Sequence, residues 1–160
     1  MLLRDLTRED LPFLREMLYA AAAWNPDREY PPVEVALEHP SLRVFHADWG
    51  RAGDVGVVAE ENGQRVGAAC YRLFTAEEHG EGYIDEQTPE LGVAVVHEHR
   101  GRGIGTALLE ALRERAQAAG ISRLGLSVEP ENPARRLYER LGYVELQPDD
   151  DEGRMVLNLR

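Results

Sequence analysis

The stretch Glu90-Leu-Gly-Val-Ala-Val-Val-His-Glu-His-Arg-Gly-Arg-Gly-Ile-Gly-Thr-Ala-Leu-Leu109 limits the possible folds more than any other part of the chain. An apolar run of strand length leads into a polar joint. A loop with Gly101, Gly103 and Gly105 follows, and then a helical pattern. Glycine permits positive φ and carries no Cβ, so successive N–H groups can converge on one point and an oxygen-rich ligand can approach them. At a helix N-terminus those N–H groups are free of intrahelical partners and the helix dipole adds positive charge. The loop therefore predicts a phosphate cradle between a buried strand and a helix.

The flanking sequence predicts a mixed sheet flanked by helices, an α/β class domain spanning residues 1–160. Leu2 to Leu6 forms a short strand. Thr7 to Asp10 resembles an N-cap ahead of the stripe Leu11, Leu14, Leu18, and this first helix runs to about Ala23. Pro26, Pro31 and Pro32 interrupt the chain before one or two helical turns at Val33 to Glu38. Val55 to Glu60 and Arg65 to Phe74 are joined through Asn62-Gly63, a hairpin signal because both residues accept positive φ. An acidic segment, Thr75 to Gln87, leads to the strand Glu90 to Val96. A helix from Ile104 to Ala119 stops at Gly120, and a strand follows at Arg123 to Val128 that is expected to lie parallel to the first. A helix at Pro133 to Leu141 and strands at Tyr143 to Leu146 and Met155 to Leu159 complete the pattern.

Length and an apolar fraction of 43% suit a single core. The start of the chain does not resemble a secretion signal and no run of roughly 18 apolar residues is present, so the expectation is a cytoplasmic protein without a membrane partner. The formal charge of −11 argues against nucleic acid as a ligand, while Arg100, Arg102, Arg113, Arg115, Arg135 and Arg136 supply local positive charge in the C-terminal half. Cys70 sits in an apolar run and is expected to be a core residue. His97 and His99 flank Glu98, but no further ligands stand at a metal-site spacing, so no metal is expected.

A dinucleotide turn of the form G-x-G-x-x-G is one reading of the loop, with Glu129 at the end of the next strand. Thr106 stands where the third glycine belongs, and the preceding hairpin and acidic loop do not suit a repeated βαβ fold. The chain resembles instead the GNAT superfamily of acyl-CoA-dependent N-acyltransferases. Their loop pattern, Arg or Gln, two residues, Gly, one residue, Gly or Ala, is met by Arg100-Gly-Arg-Gly103-Ile-Gly105. A second motif, Asn132 with Leu137-Tyr138 and Leu141-Gly142-Tyr143, lies at a suitable separation, and the order of elements agrees along nearly the whole chain.

The resemblance implies a GNAT-like fold with about four helices, acetyl-CoA as co-substrate and direct acetyl transfer to a primary amine, of a small molecule rather than a protein N-terminus or lysine. A CoA-binding module without catalysis is the alternative from another class, and look-alikes suggest a homodimer. Carried over by position, Val93, Ala94 and Val95 face the pantetheine arm and the acetyl carbonyl. Gly101, Arg102, Gly103, Ile104, Gly105 and Thr106 hold the pyrophosphate, with Arg100 or Arg102 adding charge. Tyr138 matches the tyrosine that protonates the leaving sulfur, and Glu90 is the carboxylate best placed to act as base, ahead of Glu129 and Asp85. Asn132 matches a residue near the pantetheine, although only five residues separate it from Tyr138, one fewer than in the commoner pattern. Glu77, Glu78, Glu81, Asp85 and Glu86 fall on the acceptor side of the fold, either as solvated charge or as an attraction for a cationic amine. Trp24, Tyr30 and Trp49 read as core or as pocket wall.

Overall fold

The computed structural model describes all 160 residues. Seven strands form one sheet in the order β1 (Leu2–Asp5), β2 (Val55–Glu61), β3 (Gln64–Arg72), β4 (Glu90–Val95), β5 (Arg123–Ser127), β7 (Arg154–Asn158) and β6 (Val144–Glu145). Every neighbouring pair is antiparallel except β4 and β5. Asn62 and Gly63, at φ +52° and +78°, make the expected tight turn between β2 and β3.

Five helices surround the sheet, one more than the approximate four of the expectation. They are α1 (Leu11–Ala22), α2 (Val33–Ala36), α3 (Pro40–Arg43), α4 (Ile104–Ala118) and α5 (Ala134–Arg140). A 3-10 turn at Arg8–Asp10 precedes α1, with the Thr7 N–H donating to the Asp10 carboxylate at 2.8 Å. α4 buries Leu108, Leu109, Leu112 and Ala116 against Val57, Ala59, Val66 and Tyr71 on one face of the sheet. α1 buries Leu14, Met17 and Leu18 against Ala68 and Cys70 on the other. From Ala68 to Tyr71 the two faces follow the two-residue alternation of β3, while a register shift at Ala59/Glu60 puts Val66 out of step and on the α4 face. Cys70 is fully buried, and burial pushes its thiol up to about 12, which agrees with a core role and not a nucleophilic one. No helix is long and apolar enough to cross a membrane.

What positions the site is the parting of β4 from β5. They meet only at Glu90 opposite Gly125 and diverge from there. Loop residues crowd the β5 side of the opening: a Cβ on Gly82 would come within 2.6 Å of the Leu126 backbone, and one on Gly125 would meet Ile84 at 2.9 Å. These glycines let the acidic loop lie directly on β5.

Candidate active site

The edge of β4 left free by this parting can be read from the register. The Val96 N–H donates to the Val66 carbonyl at 2.8 Å, and antiparallel alternation then turns the backbone groups of Gly92 and Ala94 toward β3. Val93 and Val95 direct theirs the opposite way, into the gap beside β5. The Val93 and Val95 side chains pack on the α4 face, while their N–H and C=O groups face an open cleft of about 610 Å³.

The far end of that cleft is the glycine loop. Gly101 and Gly103 take φ +77° and +83°, and a Cβ at either would meet nothing within 4 Å, so both stand over open space. The first bond of α4 runs from the Ala107 N–H to the Gly103 carbonyl at 3.0 Å. The N–H groups of Gly101, Arg102, Gly103, Ile104, Gly105 and Thr106 have no acceptor in the protein. Six successive free donors at the N-terminus of a 15-residue helix form an anion site. Gly105 does a different job, because a Cβ there would lie 3.3 Å from the Leu137 side chain of α5, so the glycine lets the two helices pack closely.

The two arginines of the loop part company. Arg100 lines the cleft, its Nε donating to the Val95 carbonyl at 3.0 Å. Arg102 turns outward to the β2–β3 hairpin, pairs with Glu61 at 3.0 Å and does not line the cleft. The expectation that either arginine could reach the phosphates therefore narrows to Arg100. Ion pairing with a residue 41 positions away leaves no trace in the local sequence. Asn132 borders the cleft, but its side-chain oxygen accepts the Ala134 N–H at 2.9 Å and so caps the start of α5.

A second cavity, of about 290 Å³, adjoins the first and shares Ala21, Trp24, Val93, Asn132 and Tyr138 with it. Tyr138 is 7% exposed and its hydroxyl makes no hydrogen bond in the protein. Burial pushes the phenol up to about 12, so it carries its proton at neutral pH. Glu90, 3% exposed, lines the second cavity; its two oxygens accept the Gly80 N–H at 3.0 Å and the Gly82 N–H at 2.9 Å. Burial raises its carboxyl to about 7, outweighing the two backbone donors that favour the anion. The acidic loop thus closes over Glu90 and holds it.

The other carboxylates separate. Asp85 forms an ion pair with Arg123 and lines neither cavity; although burial opposes it, the bonds from Arg123 and Thr88 hold its carboxyl below the ordinary value. Glu129 borders the second cavity but is paired with Arg28 at 2.8 Å and accepts the Trp24 indole N–H at 3.3 Å. Of the five acidic-loop residues only Glu81 faces the cavity. His99 lines the first cleft and His97 lies in the 3-10 turn before it. Trp24 is pocket wall, Trp49 stacks beneath the Arg72 guanidinium at 5.3 Å, and the Tyr30 hydroxyl accepts the Asn25 N–H at 3.2 Å. The wall contributed by Ser41 and Leu42 of α3 and by Phe45 just after it, and the turn holding Glu152, were not foreseen. Both reach the site through the tertiary fold rather than through any local pattern.

A family model for the acetyltransferase (GNAT) family matches residues 15–143. The chain belongs to this family. The dinucleotide reading of the loop falls away, since a GNAT sheet holds one β4–α4–β5 unit among antiparallel strands. Among relatives, an L-methionine sulfoximine/L-methionine sulfone acetyltransferase of Pseudomonas aeruginosa is 35% identical over 148 residues, covering 88% of this chain and 78% of that protein. An L-2,4-diaminobutyric acid acetyltransferase of Nocardia farcinica is 35% identical over 82 residues, but the match covers 49% of this chain and only 37% of that protein. Among solved structures, YncA of Salmonella typhimurium with acetyl-CoA has a TM-score of 0.69 at 24% identity, covering 100% of this chain and 94% of the other.

Proposed function

We propose that this protein transfers an acetyl group directly from acetyl-CoA to the primary amine of a small molecule. The observation that carries the reading is the run of six unpaired N–H groups from Gly101 to Thr106, opening into a cleft that passes the free edge of β4 and ends at Tyr138 and Glu90. The cradle suits a pyrophosphate, and the Arg100 guanidinium beside it adds positive charge. The backbone groups of Val93 and the Val95 N–H suit the amides of an extended pantetheine arm, with an N–H left to polarise a thioester carbonyl. Bound acetyl-CoA supplies an activated acyl carbon with a thiolate as leaving group.

The side chains divide the proton work. An amine is protonated in water and must shed a proton before it can attack, and Glu90 can accept it directly or through a water. The new C–N bond forms as the C–S bond breaks, and the nitrogen gives up its second proton to solvent as it becomes an amide. The departing sulfur can take the Tyr138 proton, which that phenol retains throughout the physiological range. No covalent link to the enzyme is required.

The test is thiol release from acetyl-CoA in the presence of a panel of primary amines. Amine-dependent release is expected, and Tyr138→Phe should lower kcat about tenfold to a hundredfold while acetyl-CoA still binds. Binding of acetyl-CoA with no turnover on any amine would instead identify a CoA-binding module. A chain that binds no CoA ester would refute both readings.

A further inference from the structure

The acceptor cavity has two compartments of opposite chemistry. Leu18, Phe45, Leu91, Leu126 and Val128 wall the inner one, which holds Glu90 and Tyr138. The outer one, about 600 Å³, has no hydrophobic residue in its lining, and Glu81, Glu129, Asp151 and Glu152 face it together with His39 and His79. Ser41, Glu81, Glu129 and Glu152 line both compartments, so the two form one passage from solvent to Tyr138.

The charges in this passage are unbalanced. Neither compartment has an arginine in its lining, and the chain contains no lysine. Arg28 already answers Glu129, and Arg154 stands 3.8 Å from Glu152. The His39 ring nitrogen Nδ1 accepts the Ser41 N–H, and the His79 Nδ1 is bonded to the Gly80 carbonyl. Glu81 and Asp151 have no cationic partner within ion-pair distance. Independently of the carboxylates, the Tyr138 side chain is nine-tenths buried, its hydroxyl has no hydrogen-bond partner in the protein, and it lines the inner compartment.

Unpaired carboxylates around a passage concentrate cations and repel carboxylates. An amino acid bearing an α-carboxylate would find no arginine or lysine in the lining to receive it. The apolar inner wall calls for methylene groups between the reacting nitrogen and the next charge. We propose that the acceptor is a linear aliphatic diamine or polyamine: its reacting amine lies beside Glu90 and Tyr138, its methylene chain fills the inner compartment, and its distal ammonium is received by Glu81 and Asp151. This rests on the acetyl-transfer reading above. In the step, the amine nitrogen bonds to the acetyl carbon, the C–S bond breaks, one proton leaves the nitrogen and one arrives on the sulfur, while the distal ammonium stays charged.

Steady-state rates with putrescine, spermidine, n-butylamine and methionine sulfone test the proposal. Because the chain has no lysine, acetylation of its own side-chain amines cannot contribute to thiol release. Putrescine and spermidine are expected to exceed butylamine in kcat/KM by about fivefold to tenfold, the effect of two partly exposed ion pairs. That preference should shrink as salt is raised and collapse toward unity in the double variant Glu81→Gln, Asp151→Asn. Both residues are exposed, so the variant should melt with the parent. Equal rates for butylamine and putrescine, an unchanged preference in the double variant, or selection of methionine sulfone over the diamines would overturn the diamine assignment and leave acetyl transfer standing. Acetyl-CoA binding without turnover on any of the four would count against acetyl transfer itself and remove the basis of the assignment.

Discussion

Glu90 is subject to two opposed influences. Two backbone N–H groups favour its anion and burial disfavours it, and burial prevails, placing the carboxyl near 7 where a base for an amine should stand. The sign of the activity effect follows: Glu90 is protonated and inactive as a base below about pH 7 and gains competence above it, so kcat/KM should rise with pH through that value. Tyr138, at about 12, loses no proton over the same range, so its titration adds no falling limb at neutral or mildly alkaline pH. Glu90→Gln is expected to lower kcat by about a hundredfold and to abolish the limb near 7, leaving only the titration of the amine itself. A pH–rate profile of parent and variant on one amine is the measurement; the same limb in both would assign the base elsewhere. The raised carboxyl has a stability counterpart. Folding binds the Glu90 proton more tightly than the unfolded chain does, so its contribution declines as pH rises from about 4.5 to 7.

At the scale of elements, the N-terminus of α4 and the free edge of β4 form a single device, since the same strand–loop–helix connection places both along the donor cleft. Gly103 tests it cleanly. Its φ of +83° and the empty space around its Cβ direction mean that Gly103→Ala strains only the backbone, by about 1–2 kcal/mol, while the new methyl intrudes on the cradle of N–H groups. The expected result is a rise of about tenfold or more in the KM for acetyl-CoA with a small change in melting temperature. Kinetics unaltered by the methyl would show that the cradle is not where phosphate binds. This element was legible in the sequence because everything that defines it is local: the apolar strand, the three glycines and the helix they open. The Asn62-Gly63 hairpin was legible for the same reason. Tyr138 was singled out by a family pattern and Glu90 by its place at the head of a strand, and both line the inner cavity. What escaped were features set by distant partners: the pairing of Arg102 with Glu61, the capping role of Asn132, and α3 as a wall of the acceptor cavity. The five acidic-loop residues look alike in sequence, and only the seating of Gly82 on β5 brings Glu81, and not its neighbours, to the cavity.

Across the whole molecule, the acceptor wall depends on a cation outside the site. Arg72, at the end of β3 and fully buried, donates to the Val44 carbonyl at 2.8 Å, the Ala47 carbonyl at 2.7 Å and the Asp48 carbonyl at 3.3 Å. It binds both oxygens of Asp54 at 2.9 and 3.0 Å and lies against Trp49. The chain from α3 to the start of β2 is thus folded around one guanidinium, and α3 carries Ser41 and Leu42 into the acceptor cavity just before Phe45. Loss of the cation leaves the buried Asp54 carboxylate unpaired and three carbonyls without their donor, whereas replacing both ions with apolar groups removes the uncompensated charge. Arg72→Met is therefore expected to destabilise the protein by about 3–5 kcal/mol, a fall in melting temperature of roughly 10 °C or more for a chain of this size. Adding Asp54→Leu should recover part of that loss. Because the acceptor wall and not the glycine loop hangs on Arg72, the KM for the amine should rise more than the KM for acetyl-CoA in the surviving fraction. Thermal denaturation of the parent, both single variants and the double variant gives the coupling directly. A single variant melting within about 2 °C of the parent would mean that the segment is held by its apolar contacts, Phe45 against Phe74 among them, and that the ion pair adds little.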